Sequence, residues 1–544
     1  MEIFTRRCER LHSVLRYCGL NAMKPIFKYS LLGFGLVALA AGSYFFLAGR
    51  GDKLQKYIPD NAALVVKIDP KSILNGLDLE ALKKTESFEE AVADMKDESE
   101  PLPVLLSQAM SNPKETGINW LKPSYVFMRA EKGITYTAIL VSVNDPNQLK
   151  SCINDHVKDH EDIDLEDNQY FMKVSSSEYW GWNKEVLMIL SMRGRRQKDL
   201  ISDHLNLTYD ANISSKDEMV EILNKKAAVS WCVNGKTLPD ALESMRGGLT
   251  PFQSKVFGDF AGGTLEFKEG EIVMDAVQKG AESFIESKSN KSFNTTPNGI
   301  VPFFHMSYAL KINPLIDYLL EDKNNSESMG SALMNNEMMS YLKELGNGFS
   351  IQMWNQGSPA VPNMENPLLS GNLGMAMRVG MSDQTPKFDA SLALFNMGLN
   401  SYMQRLSANT SAYDMEETAA PDSTPLPISL KKENNIMHLA SGLKYNDNYK
   451  MWRDKRLPDD FFEQPFQIWI DLDEDHFPYW MLDQNMASSE KQVMMRNMKR
   501  FSHVVASGTM ERSTFKLVMK DQKENALAQI LDMVLDAAKN GADI

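Results

Sequence analysis

His156 and His160 stand four residues apart in Asp155-His156-Val157-Lys158-Asp159-His160-Glu161-Asp162. On a helix that spacing brings two imidazoles to one face, where they could chelate a metal ion with a third ligand from elsewhere. The plain alternative is a charged helix end on the surface, because no glutamate follows the first histidine as a zinc-protease motif requires. Asp471, Asp473 and Asp475 alternate in Asp471-Leu472-Asp473-Glu474-Asp475 as the carboxylates of a calcium loop do. His476 occupies the position that needs glycine, however, and Leu482 the position of the bidentate glutamate. Strand termination and capping account for most of that acidic run. Nucleophile elbows, phosphate loops, HExxH and CxxC are all absent, so no catalytic set and no cofactor is expected.

Two aromatic groups, Tyr179-Trp180-Gly181-Trp182 and Phe477-Pro478-Tyr479-Trp480, could form a contact surface for protein or glycan, although core packing is the commoner use. The same holds for Met329, Met334, Met338 and Met339, which suit either an adaptable groove or core filling.

The elements that would position these residues follow from an internal repeat. Lys67-Ile68-Asp69-Pro70 recurs as Lys311-Ile312-Asn313-Pro314 at an offset of 244. Ala261-Gly262-Gly263-Thr264-Leu265-Glu266 recurs as Ala506-Ser507-Gly508-Thr509-Met510-Glu511 at 245, and Ile272-Val273-Met274 keeps that offset with Leu517-Val518-Met519. Weaker matches pair Tyr136–Val143 with Phe388–Phe395 and Ala227–Val233 with Phe466–Ile470. These predict an α+β fold of two tandem homologous halves, residues 54–285 and 299–544, with mainly antiparallel sheets and flanking helices. The polar stretch 286–298 is expected to link them. No histidine pairs with another at the repeat offset, which disfavours a histidine-based site shared by both halves.

Asp69-Pro70, Asp145-Pro146 and Asn313-Pro314 each set an N-cap before a helix-starting proline. Leu527, Ile530, Leu531 and Val534 give the C-terminal segment an apolar stripe at i, i+3, i+4 and i+7. The proline-bearing stretches 355–374 and 407–427 are expected as surface loops, and 86–100 as a solvated helix.

Residues 29–49 carry no charge and, at the helical rise, span about 31 Å, enough to cross a bilayer core. Six basic and two acidic residues in 1–28 put that basic segment in the cytoplasm and the C-terminal ectodomain outside. Ala38-Leu39-Ala40 and Ala41-Gly42-Ser43 offer signal-peptide cleavage as the competing reading. Seven of the 58 Lys and Arg and two of the 72 Asp and Glu precede residue 51, so the remainder carries −19 and repels nucleic acid. Only Cys152 and Cys232 lie beyond the apolar segment; they suit two buried thiols or one bridge, not a disulfide framework.

Ile58-Pro59-Asp60-Asn61-Ala62 leading into Val65–Asp69, Trp182-Asn183-Lys184 before Val186–Leu190, and Phe515–Lys520 running into Asn525-Ala526-Leu527 resemble a family of exported Bacteroidetes proteins. That family is classed as a domain of unknown function, and its members are often predicted lipoproteins. The resemblance implies a cell-envelope location and supplies no catalytic residues. Ser43 stands where the lipoprotein pattern has cysteine, so attachment through residues 29–49 to the inner membrane, as a single-pass protein with a periplasmic ectodomain, is expected instead. Asp422-Ser423-Thr424 resembles the periplasmic O-glycosylation motif of that group, with Ser423 as acceptor. The expected function is a non-catalytic binding or scaffolding role toward an envelope protein or glycan. The alternative is a hydrolase or metal-dependent enzyme acting on an envelope polymer through His156, His160 or the 471–475 carboxylates.

Overall fold

The computed structural model describes residues 54–75, 101–131, 133–157, 162–192, 196–243, 258–280, 291–311, 343–355, 373–393, 428–441, 449–479 and 495–539, with a few single residues between these blocks. The expected membrane segment 29–49, the stretch 86–91, the loops at 356–372 and 407–427, Ser423, His160 and the methionines from 329 to 339 lie outside them. The chain divides into two compact units, one running to Ala281 and joined by Gln522–Lys539, the other Glu282–Asp521.

In the first unit the strands are β1 (Leu64–Ile68), β2 (Ser124–Glu131), β3 (Ile134–Ser142), β4 (Asp164–Glu166), β5 (Gln169–Lys173), β6 (Glu178–Trp182), β7 (Val186–Ser191), β8 (Val229–Asn234), β9 (Phe260–Lys268) and β10 (Glu271–Lys279). They pair antiparallel in the order β10-β9-β8-β1-β2-β3-β7-β6-β5-β4. Helices separate them: α1 (Pro70–Leu74), α2 (Pro101–Ser111), α3 (Pro146–His156), α4 (Gln197–Leu205), α5 (Asp217–Leu223) and α6 (Leu238–Glu243).

Both faces of this sheet are covered. Val65, Tyr125, Phe127, Leu140, Met188 and Cys232 pack with Ile201 and Leu223 on one side. On the other, Val141, Leu187 and Ile189 pack under Leu105, Ala109 and Ile153 from α2 and α3. Trp180 and Trp182 are fully buried in that second cluster, so the first aromatic group is core. Cys152 and Cys232 are buried free thiols.

The two Asp-Pro helix starts follow the capping rule. The Asp69 carboxylate accepts from the amides of Lys71 and Ser72, and Asp145 accepts from those of Asn147 and Gln148 at 2.9 and 3.1 Å. Because those amides have no helical acceptor, Asp145→Ala is expected to lower the first unit's unfolding free energy by about 1 kcal/mol, measured by urea titration. An effect below a few tenths of that would mean that solvent serves the helix end equally well.

The second unit contains β11 (Thr295–Pro297), β12 (Phe304–Tyr308), β13 (Leu345–Asn355), β14 (Leu373–Met381), β15 (Ile428–Glu433), β16 (Ile436–Ser441), β17 (Tyr449–Met451), β18 (Phe466–Asp471), β19 (Phe501–Gly508) and β20 (Arg512–Met519). Its main sheet runs β20-β19-β18-β12-β13-β14-β16-β15, also antiparallel. Strand for strand this is the series β10-β9-β8-β1-β2-β3-β7-β6 of the first unit.

By that pairing order the partner of β3 is β14, not residues 388–395. The stretch 386–393 is helical, since Pro386 starts it and the Glu344 carboxylate receives the amides of Lys387 and Phe388. Ile68 and Tyr308 hold equivalent places, opposite Val229 and Phe466. They lie 240 residues apart, so Ala309–Ile312 is extra chain before Asn313-Pro314.

Two expected boundaries change. Residues 291–298 are folded into the second unit: β11 pairs with β17, and Phe293, Asn294 and Thr296 are fully buried. One phenylalanine in a polar stretch is enough to make it core. Residues 522–539 leave the second half and complete the first unit with α7 (Ala526–Lys539). Asn525 caps this helix through the Leu527 amide and donates to the Phe267 carbonyl, and the Gly270 amide donates to the Glu524 carbonyl. The β9–β10 hairpin therefore holds the helix start. Among the described residues no helix is long and apolar enough to cross a membrane.

Candidate binding surface

His156 is the last residue of α3, and Val157 after it is extended, with φ −91° and ψ 119°. The helix that would place His156 and His160 on one face stops before His160. No cluster of three or more His, Cys, Asp or Glu able to hold a metal occurs among the described residues.

The 471–475 carboxylates are likewise committed. Asp471 ends β18 with no exposed side-chain surface, and Arg456 grips it through Nη1 at 3.1 Å and Nη2 at 2.5 Å. His476 Nδ1 lies 2.7 Å from the same carboxylate, and the Asp473 amide donates to it at 3.0 Å. Arg456 also donates to Asp454 through Nε at 2.9 Å and Nη2 at 2.7 Å, and its guanidinium lies 5.0 Å from the Trp469 ring centre. Burial alone would raise the Asp454 carboxyl, but the Arg456 contacts outweigh it and hold it below its ordinary value. Asp473 uses its side chain on the Asp475 amide. A carboxylate already neutralised by arginine is a poor calcium ligand, so this cluster is an internal ion network.

Beside it a second polar chain runs under the sheet. Gln352 Nε2 lies 3.3 Å from His305 Nδ1, and His305 Nε2 is 3.2 Å from Gln467 Oε1. Arg378 donates to Gln352 Oε1 and to the Thr295 carbonyl, each at 2.6 Å. If Gln352 donates to Nδ1, the hydrogen of the neutral ring sits on Nε2 facing Gln467, and a second proton would meet an N–H. Burial, with Arg378 nearby, lowers His305 to about 4.

These residues expose an inversion of the usual sheet pattern. His305, Ser307, Ser350, Gln352, Arg378, Gln467 and Asp471 share one face, and all are buried. Residues 289–297 and 449–464 cover that face, with Trp452, Phe461 and Trp469 as its apolar cluster. The other face carries Phe304, Met306 and Tyr308 of β12, Phe349, Ile351 and Met353 of β13, Met375 and Met377 of β14, and Phe466, Ile468 and Ile470 of β18. Every one of these is only half-buried. Tyr308 stacks on Phe349 at 5.5 Å and tilts against Phe466 at 4.8 Å, so the aromatic rings form a continuous row. The face is contiguous and rich in aromatic and methionine side chains, none of them fully buried, and methionines adapt to irregular partners.

Sequence reasoning found the acidic run but missed Arg456 and the apolar face. The signal for the face was present as strict alternation in Phe304-His305-Met306-Ser307-Tyr308 and, interrupted at Trp469, in Phe466-Gln467-Ile468-Trp469-Ile470-Asp471.

Comparison with known proteins gives one family: the model described as a domain of unknown function (DUF4836) matches residues 55–414. No curated protein matches. Solved structures of crystal forms III, I and IV of TP0453 are similar at 9%, 10% and 6% identity. They cover 43%, 45% and 41% of this chain and 81%, 83% and 79% of their own, with TM-scores of 0.27, 0.25 and 0.26. A likeness that slight carries no functional weight.

Proposed function

The chain belongs to the DUF4836 family, a domain of unknown function, and from that premise we propose a membrane-anchored protein of the cell envelope that binds an apolar partner surface and performs no covalent chemistry. The anchor is residues 29–49 and the two units lie in the periplasm. The observation that carries the binding role is the half-buried apolar face of β14-β13-β12-β18, opposite a polar face that is fully buried. Folding energy alone favours the reverse arrangement, since about 25 cal/mol is gained per Å² of apolar surface removed from water. A partner that covers the face recovers that gain on binding.

The acidic and histidine candidates do not support the hydrolase alternative. The Asp471 carboxylate is spent on Arg456 and His476, and the α3 end separates His156 from the geometry that chelation needs.

Fluorescence of 1-anilinonaphthalene-8-sulfonate with the full chain tests this reading. The native protein should enhance it. Met377→Gln and Ile468→Gln should reduce the enhancement several-fold, with the far-UV circular dichroism and melting temperature held. Native protein that leaves the dye dark, or folded variants that bind it equally, would remove the face as a binding surface.

A further inference from the structure

The described chain begins at Leu54, which is buried, in the 3-10 turn Leu54–Tyr57. Two fixed turns flank that point. On one side Gln55 Nε2 donates to Asn224 Oδ1 at 3.0 Å, and the buried Lys67 ammonium pins the 223–225 backbone through the carbonyls of Leu223 and Lys225. On the other, Lys56 and Tyr57 bond Glu185, and the Asn183 carbonyl oxygen Oδ1 receives the amides of Glu185 and Val186. These turns carry Lys184, Lys225 and Lys226, all exposed, and none makes an ion pair among the described residues.

Most of the nearby acidic groups are engaged, the exposed Glu221 four residues before Lys225 being the exception. Glu185 is held by Lys56 and Tyr57, Asp69 caps α1, and Asp60 pairs with Lys216 at 3.1 Å. A lysine collar thus surrounds the start of a unit whose chain as a whole is acidic.

We propose that Lys184, Lys225 and Lys226 form a contact surface for the phosphates of anionic lipid headgroups. This rests on the reading of residues 29–49 as a retained anchor. Four residues lie between Gly49 and Leu54, so Leu54 lies within about 17 Å of the end of the membrane segment at full extension, and both lysine-bearing turns are bonded to Gln55, Lys56 and Tyr57 right after it. A lysine side chain plus one Debye length, about 8 Å in physiological salt, covers most of that distance. Basic residues next to an anionic bilayer are each attracted to it, and the flanking turns hold these three without further ordering cost. The anchor supplies attachment; the collar sets which side of the first unit faces the lipid.

The test uses the full chain in vesicles of phosphatidylcholine, with or without phosphatidylglycerol, acylated by a membrane-impermeant amine reagent and read by peptide mass spectrometry. Phosphatidylglycerol should slow acylation of Lys184, Lys225 and Lys226 roughly fivefold while leaving Lys236 unchanged. Equal rates in both vesicles overturn the proposal. So does equal protection by inorganic phosphate over phosphatidylcholine, which would assign the collar to a free anion. Alkaline carbonate extraction separates the two readings: release of the chain from the vesicles would refute the anchor, whereas a retained chain with unprotected lysines refutes the collar alone.

Discussion

Acidification from pH 6.5 to 5 should open the second unit well before the first. His305 and His503 are buried and, with the half-buried His438, each lowered to about 4 by burial, with Arg378, Arg456 and Arg378 nearby in turn. Among the described residues the first unit has one comparable group, His204, lowered to about 3 by burial and Arg129, its Nε2 2.8 Å from the Tyr136 hydroxyl. In the unfolded chain each would titrate near 6.5. Above that value both states are neutral and stability is complete. As pH falls below it the unfolded chain takes up protons first, so stability is lost until the folded pKa is reached.

Each fully buried histidine loses about 1.4 kcal/mol per pH unit in this window, or about 2 kcal/mol by pH 5. The second unit therefore loses two to three times what the first does. Hydrogen exchange read by mass spectrometry should show amides of β12, β13 and β18 losing protection at pH 5 while those of β3 and β7 keep it. His305→Asn should flatten the response by about one proton. Parallel loss in the two units would contradict the assignment.

Arg456→Met should cost the second unit about 3 to 5 kcal/mol, because it strands the fully buried Asp471 carboxylate. His476 and the Asp473 amide remain on that carboxylate, so the loss should not exceed that range. Arg456→Lys should fall between, since one ammonium cannot span Asp471 and Asp454 as the guanidinium fork does. The double variant Arg456→Met with Asp471→Asn should recover part of the loss, because the uncompensated charge is gone. Urea titration of the four proteins measures this, and a single-variant cost below about 1 kcal/mol would mean that water reaches Asp471 and does the work of the arginine.

Local signals in the sequence carried furthest. Asp69-Pro70 and Asp145-Pro146 cap helices as their residue types require, and the cysteine count excluded a disulfide framework while leaving open the bridge that the two buried free thiols do not form. Alternation in β12 and most of β18 stood in the sequence as an unread strand signal. It could not give the inward face, because in these strands the side chains that go inside are His, Ser, Gln and Asp, whose burial depends on partners such as Gln352, Arg378 and Arg456 elsewhere in the chain. The run Asp471–Asp475 looked like a calcium loop for the same reason: the arginine that neutralises it lies 15 residues upstream, with no motif joining them. The stretch 286–298 read as a linker because composition averages over residues, whereas one buried Phe293 decides where it folds.

The helix Ala526–Lys539 has a consequence for how the chain reaches its native state. Because it caps against the β9–β10 hairpin, the second unit is spliced, in sequence, between two parts of the first. A chain emerging residue by residue can finish the second unit's sheet while the first still lacks a helix. The first unit's last closure then spans the whole second unit, and that long loop is closed more cheaply once the intervening residues are compact. Maturation of the two units is therefore nested, with the sheet begun first completed last, and synthesis that stalls before residue 522 leaves an unfinished first unit with a finished second one.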